Sequence, residues 1–182
     1  MKRLFYIRHG ETDMNIAKKF SGTTEAQLTD NGRGQAKLSG EALRQKPLRI
    51  DYIVCSPLKR TQETAKIVAG EIGFPVEKIE INDLFIERHF GTLEGTPSEE
   101  FIGSPEDYRK IDAVAGAETI EALQQRAEKA LAYAKSIPAD NVLIVSHGAF
   151  GRALRRVVNN QPHTHEYDGI QWIGNAEIVE LI

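Results

Sequence analysis

The 182-residue chain carries 23 Lys and Arg against 26 Asp and Glu, a net charge of −3, with 41% hydrophobic residues. That length points to one domain, residues 1–182, burying about 70% of its unfolded surface, and the composition excludes disorder and collagen-like repetition. The acidic balance argues against a nucleic-acid partner, and the lone Cys55 excludes an intrachain disulfide or cysteine-based metal cluster. The apolar runs fall far short of the ~20 residues of a membrane span, and the N-terminal stretch is too short for a signal peptide. A soluble, cytoplasmic protein with no membrane partner is therefore expected.

In chain order, Leu4-Phe5-Tyr6-Ile7 reads as a strand ending at Arg8 and His9. Thr29-Asp30 can cap a helix running to about Lys46. Tyr52 to Cys55 is the next buried strand, and Ser56 as N-cap with Pro57 at the first helical position predicts a helix start. Leu58, Thr61, Ala65, Val68 and Ile72 give that helix a core stripe, and Gly73 stops it. Val76 to Ile86 reads as strand interrupted at Asn82-Asp83. Glu87 to Ala117 is loop-rich, with a short helix after Ser104-Pro105. Thr119 opens a helix with Ile120, Leu123, Ala127, Leu131 and Ala134 on its apolar face. Val142 to Val145 is a strand, a helix follows Gly148, and Trp172-Ile173 and Ile178 to Leu181 are strand material. Strands alternating with helices predict a three-layer α/β/α sandwich with a mostly parallel central sheet, in which ligands sit at the carboxyl ends of strands.

Those ends carry unusual chemistry: Arg8-His9-Gly10-Glu11-Thr12, Ser56-Pro57-Leu58-Lys59-Arg60, Glu87-Arg88-His89-Phe90-Gly91 and Ser146-His147-Gly148. Each alone is more often a surface turn, a solvated helix face or a core histidine. Together they offer histidines, arginines and a carboxyl group at one sheet edge. Transfer of a phosphoryl group spreads charge over three oxygens, which arginine forks grip bidentately. A neutral imidazole is a competent nucleophile near pH 7. A carboxylic acid can protonate the leaving alkoxide, and the amides of a helix starting at Gly148 can add to the anion clamp. This chemistry requires no metal and no cofactor.

The same residues carry a resemblance. Arg8-His9-Gly10-Glu11-Thr12, Asn15, Phe20-Ser21-Gly22, Leu28-Thr29, Gly32, Gln35-Ala36, the run Ser56 to Ala65, the run Glu87 to Gly95, Gly116-Ala117-Glu118-Thr119 and Val145 to Gly148 follow one another in the order of the histidine phosphatase superfamily. The chain resembles this family, also called phosphoglycerate mutase-like, over nearly its whole length. The resemblance implies that His9 is the phosphorylated nucleophile and Glu87 the proton donor and acceptor. Arg8, Arg60 and His147 would complete the phosphate pocket, with Asn15, Ser21, Gly22 and the Gly148 amide binding phosphate or substrate.

The substrate class implied is a small-molecule phosphomonoester, and the reaction is hydrolysis or a mutase transfer. Phe20-Ser21-Gly22 and Glu87 to Gly91 look like the cofactor-dependent phosphoglycerate mutases, which usually carry Tyr where Phe90 stands. Against that, Ser98 occupies the place of the mutases' lysine, only a short insertion with Arg109-Lys110 separates Gly95 from Gly116, and the chain stops at Ile182 without the mutases' covering tail. Hydrolysis is the favoured expectation, with a short cap insertion at about 97–113 selecting the substrate. A catalytically inactive binding module is the remaining alternative. His163-Thr164-His165 is discounted as a metal pair and Gly32-Arg33-Gly34 as a nucleotide loop. Phe20, Phe90, Phe101, Tyr108 and Trp172 are assigned to packing. The sequence leaves the oligomeric state open.

Overall fold

The computed structural model describes residues 2–99, 110–162 and 172–182. Five strands form one sheet in the order β3-β2-β4-β1-β5, with β1 at Arg3–Arg8, β2 at Tyr52–Cys55, β3 at Glu80–Ile81, β4 at Asn141–Ser146 and β5 at Ile178–Glu180. The first four run parallel, and β5 lies antiparallel to β1. Register aligns Arg8 with Ser146 and Cys55 with Val145, so β1, β2 and β4 finish at one edge.

Both faces of the sheet are covered, which is why its central strands are apolar without alternation. Leu4 and Tyr6 of β1 point into one core cluster and Phe5 and Ile7 into the other. The first cluster is completed by Leu123, Ala127 and Leu131 of helix α4 (Ile120–Ser136) and by Phe150, Ala153 and Leu154 of helix α5 (Gly148–Val158). The second takes Leu43 of helix α2 (Asp30–Arg44) and Ala65, Val68 and Ala69 of helix α3 (Lys59–Ile72). A short helix, α1 (Asp13–Ile16), follows β1. The architecture is the α/β/α sandwich expected, and each buried Leu, Ile, Val or Phe contributes about 1.5–3 kcal/mol.

Local chemistry explains most boundaries. Thr29 and Thr119 cap α2 and α4 by accepting from Gly32 N and Ala122 N at 2.9 and 3.2 Å. Gly73, at φ 70°, closes α3 in a left-handed conformation. Three expectations need correction. Helix α3 begins two residues later than Ser56-Pro57 predicts: its N-cap is Leu58, which makes no side-chain cap. Ser56 Oγ accepts from Leu58 N at 3.3 Å, just ahead of the helix, and also lies 2.7 Å from His147 Nε2, a tertiary contact. The span Val76 to Ile86 is strand only at Glu80–Ile81, between 3₁₀ turns at Val76–Lys78 and Asp83–Phe85. There the Asn82 side chain accepts from Leu84 N at 3.0 Å and starts a turn instead of extending the ladder. Trp172-Ile173 is not strand: the Ile173 carbonyl accepts from Arg8 Nη1, and only Ile178–Glu180 joins the sheet. Helix α2 ends at Arg44 with Gln45 as its C-cap, within two residues of the end expected at about Lys46. Of the helix expected after Ser104-Pro105, only residues 110–112 are described, and they are helical; the His163-Thr164-His165 motif lies outside the described residues.

Candidate active site

His9 follows the last residue of β1 and is 4% exposed. Its backbone N–H donates to Ser146 O at 2.9 Å, extending the β1–β4 pairing by one bond. Its Nδ1 lies 2.8 Å from Gly10 O. A carbonyl can only accept, so Nδ1 carries the proton and Nε2 the lone pair. Burial lowers the imidazole pKa well below the ordinary 6.5, and the Arg60 and Arg8 charges lower it further. His9 is thus held neutral, in one tautomer, with Nε2 available as a nucleophile.

The loop that carries it is tied down on several sides. Gly10 N–H donates to Thr64 Oγ1 at 3.2 Å and Glu11 N–H to Gln35 Oε1 at 2.9 Å. A Cβ on Gly32 would stand 2.1 Å from Glu11 O, so the first turn of α2 presses directly on this backbone. Thr12 and Asn15 close a capping box at α1. Asn175 Nδ2 bridges His9 O at 3.1 Å and Asn15 Oδ1 at 3.2 Å.

Arg8 and Arg60 flank His9 and are largely buried. Burial lowers both pKa values, while the Glu87 charge raises them in part. Arg8 Nη1 donates to Ile173 O at 3.1 Å, and Arg60 Nη1 and Nη2 donate to Thr24 O and Gly22 O at 2.8 and 2.6 Å. Gly22 adopts φ 50°, and a Cβ there would meet Glu94 Oε1 at 2.1 Å. Glu94 in turn accepts from Thr23 N, Thr24 N and Phe90 N, which fixes the carbonyls that hold Arg60. Arg8 Nε and Arg60 Nε are buried with no protein acceptor, and His147 Nδ1 is buried with no hydrogen-bond partner. Buried donors without partners cost about 1–3 kcal/mol each, so this end of the site is built to take an anion.

His147 is fully buried between β4 and α5, its ring 5.3 Å from that of His9 in an edge arrangement. Tyr6 Oη donates to His147 O at 2.6 Å and accepts from His147 N at 2.9 Å, locking its backbone. Burial, then the charge of Arg60, lowers its pKa well below 6.5.

Glu87 comes from the segment after the second 3₁₀ turn and is 8% exposed. Its carboxyl accepts from Arg88 N at 2.8 Å, Ala149 N at 3.1 Å and Phe150 N at 2.9 Å. Two of the three belong to the first turn of α5. The Gly148 amide, by contrast, donates to no group among the described residues.

Arg8, His9, Asn15, Ser21, Gly22, Arg60, Glu87 and Gly148 all line one cavity of about 300 Å³. His147, the ninth residue singled out from the sequence, does not line it, although its ring meets that of His9 edge-on. Phe20, Phe90 and Trp172, assigned to packing, border the cavity, with the two phenyl rings 4.9 Å apart. Lys19, Ser98 and Ile111 complete the mouth. Sequence reasoning missed Lys19, Ile111, Glu94 and Asn175 as parts of the site. Ser56, expected as a helix cap, is the hydrogen-bond partner of His147.

The family model for the histidine phosphatase superfamily (branch 1) matches residues 4–182. The chain belongs to the histidine phosphatase superfamily. Within it, the chain is 35% identical over 154 residues to an acid phosphatase of Mycobacterium tuberculosis, covering 84% of this chain and 73% of that one. It is 30% identical over 202 residues to the probable phosphoglycerate mutase GpmB of Yersinia enterocolitica, covering 99% and 92%. The fold matches a mycobacterial glucosyl-3-phosphoglycerate phosphatase solved with VO3 at TM-score 0.82 and 26% identity, over 99% of this chain and 92% of the other. Relatives named as phosphatases support a phosphatase. No described helix is long and apolar enough to cross a membrane.

Proposed function

We propose that the protein hydrolyses small-molecule phosphomonoesters through a phosphohistidine on His9, without a metal or a cofactor. The His9 Nε2 lone pair attacks phosphorus and the ester P–O bond breaks. Glu87, as the carboxylic acid, gives its proton to the leaving oxygen. Glu87 then takes a proton from water, which attacks phosphorus, breaks the P–N bond and returns His9 to its neutral form. Arg8 Nε, Arg60 Nε and the Gly148 amide hold the oxygens in both steps, in which charge is spread over the three oxygens of the transferring group, with the His147 ring packed against that of His9. Asn15, Ser21 and Gly22 border the bound group, and residues 97–113 act as the cap over the leaving alcohol.

The observation that carries this reading is the fixed tautomer of His9, with its Nδ1 bonded to Gly10 O and unpartnered cationic donors beside it. Such a site suits attack on a phosphate dianion.

A mutase reading draws on the Yersinia relative, which matches nearly the whole chain. It requires a second anion to be held at the mouth. There the described lining is Phe20, Phe90, Ile111 and Trp172, with Lys19 the only cation beyond Arg8 and Arg60. Incubation with 3-phosphoglycerate and 2,3-bisphosphoglycerate separates the two reactions. The expected result is free phosphate with little 2-phosphoglycerate; rapid isomerisation with little phosphate release would contradict hydrolysis.

A further inference from the structure

We infer that Arg126, which does not reach the cavity, is a positioning residue for proton transfer to the leaving group and acts through Glu87. The inference rests on the proton-donor role given to Glu87 above.

Residues 84–87 bring Glu87 to the site, and their carbonyls find no place in the sheet. A buried carbonyl needs a donor, and here side chains supply all four. Ser146 Oγ donates to Phe85 O at 2.6 Å. Arg126 serves the other three: Nη1 donates to Leu84 O at 3.1 Å and Ile86 O at 2.6 Å, and Nη2 to Glu87 O at 3.3 Å. The guanidinium is itself aimed by Glu118, whose carboxylate accepts from Arg126 Nε at 2.9 Å and Nη2 at 2.7 Å.

Arg126 also reaches the other half of the Glu87 clamp. Its guanidinium carbon lies 5.0 Å from the centre of the Phe150 ring, and the Phe150 amide is one of the three that hold the Glu87 carboxyl. One side chain therefore sets both the backbone from which Glu87 projects and the residue that receives its carboxyl. Only a planar fork with several donors can serve three carbonyls and a carboxylate together. A lysine keeps the charge but not the fork.

The consequence is specific to the leaving group. At the phosphate end Arg126 bonds none of Arg8, His9 and Arg60; it comes nearest that end at the Phe150 ring, two residues after Gly148 in α5. Misplacing a reacting group by about 1 Å costs on the order of 100-fold. Arg126→Lys and Arg126→Met are expected to lower kcat on an alkyl phosphate by about ten- to a hundred-fold. With nitrophenyl phosphate, whose leaving group needs no proton, the loss is expected to stay within about three-fold. Inhibition by inorganic phosphate should be unchanged.

The decisive arm is the Glu87→Gln background. If Arg126 acts through Glu87, adding Arg126→Lys there costs nothing further; if it merely supports the fold, the losses add. Glu118→Gln, which leaves Arg126 in place but weakens its aim, should reproduce the same substrate pattern more mildly and keeps the test open should an Arg126 variant fail to fold. Equal losses on both substrates, an alkyl phosphate rate unchanged in Arg126→Lys, or additive losses beside Glu87→Gln would each overturn the positioning role. Absence of any leaving-group dependence in Glu87→Gln alone would instead defeat the proton-donor reading, and this inference with it.

Discussion

The two ends of the cavity are built by different means. At the phosphate end, Arg8, His9 and His147 sit on or beside adjacent parallel strands, and a backbone bond from His9 to Ser146 continues their register. At the leaving-group end, Glu87, Phe90 and Ile111 come from stretches outside the sheet, tied down by the side chains of Arg126, Arg88, Glu94 and Asp112. Arg88, 1% exposed, pairs with Asp112 at 2.5 Å, and Asp112 Oδ1 also accepts from Ile120 N. The sheet makes the first end rigid by construction. The second depends on a few long-range bonds, and there a substrate preference can change without disturbing the core.

The comparison can be broken most directly at the nucleophile. His9→Ala should remove at least about 10⁴-fold of the rate on every substrate, good or poor leaving group alike. Retained turnover on any of them would show that the phosphate end does not work through His9. Next comes Glu87→Gln, with losses of about 10²- to 10⁴-fold on alkyl phosphates and far less on nitrophenyl phosphate. Equal losses would erase the distinction between the two ends.

Rigidity at the phosphate end predicts a stability effect. A methyl group at Gly32 would press on the Glu11 backbone, which is held by Gln35 and Thr29, so Gly32→Ala should destabilise the fold by about 1–3 kcal/mol in denaturant unfolding. An unchanged midpoint would mean that the loop after His9 is looser than its bonds imply.

The buried histidines give a pH signature. His9 and His147 stay neutral in the folded protein well below 6.5, whereas the unfolded chain protonates both near that value. The unfolded state therefore binds more protons, and stability falls as pH drops below about 6.5, by up to about 1.4 kcal/mol per pH unit for each histidine. His147→Gln should remove one share of that slope; an identical slope in the variant would count against the neutral buried imidazole. The smallest effect is expected at the mouth, where Phe90→Ala should shift KM for bulky phosphomonoesters by about three-fold and leave kcat nearly intact. A comparable fall in kcat would show that the mouth is not separable from the chemistry.

This division also explains what could be read from residues alone. Arg8, His9 and His147 were legible because a buried strand advertises itself as an apolar run, and the chemistry begins where the run stops. Arg60 was found through the helix that follows β2, although Ser56 and Pro57 misplaced its first turn. Glu87 followed the apolar Leu84-Phe85-Ile86, which is a 3₁₀ turn and its exit, with β3 confined to Glu80–Ile81. Arg126 and Asn175 left no trace, because each acts on backbone groups distant in sequence: Arg126 reaches Leu84, 42 positions away, and Asn175 reaches His9, 166 away. Periodicity cannot report such pairings. The aromatic residues at the mouth carried the same pattern as core residues, since Phe20 is itself 8% exposed and buried on one side while bordering the cavity on the other.

The most direct test of the account is to catch the phosphoenzyme. Rapid mixing with a phosphomonoester, quenching in alkali to preserve a phosphoramidate, and mass analysis of the chain should give one added phosphoryl group, mapped to His9. It should appear within the first turnover, decay at the rate of phosphate release and be missing in His9→Ala. Turnover with no phosphoryl group on His9, or with one on another residue, would contradict the account.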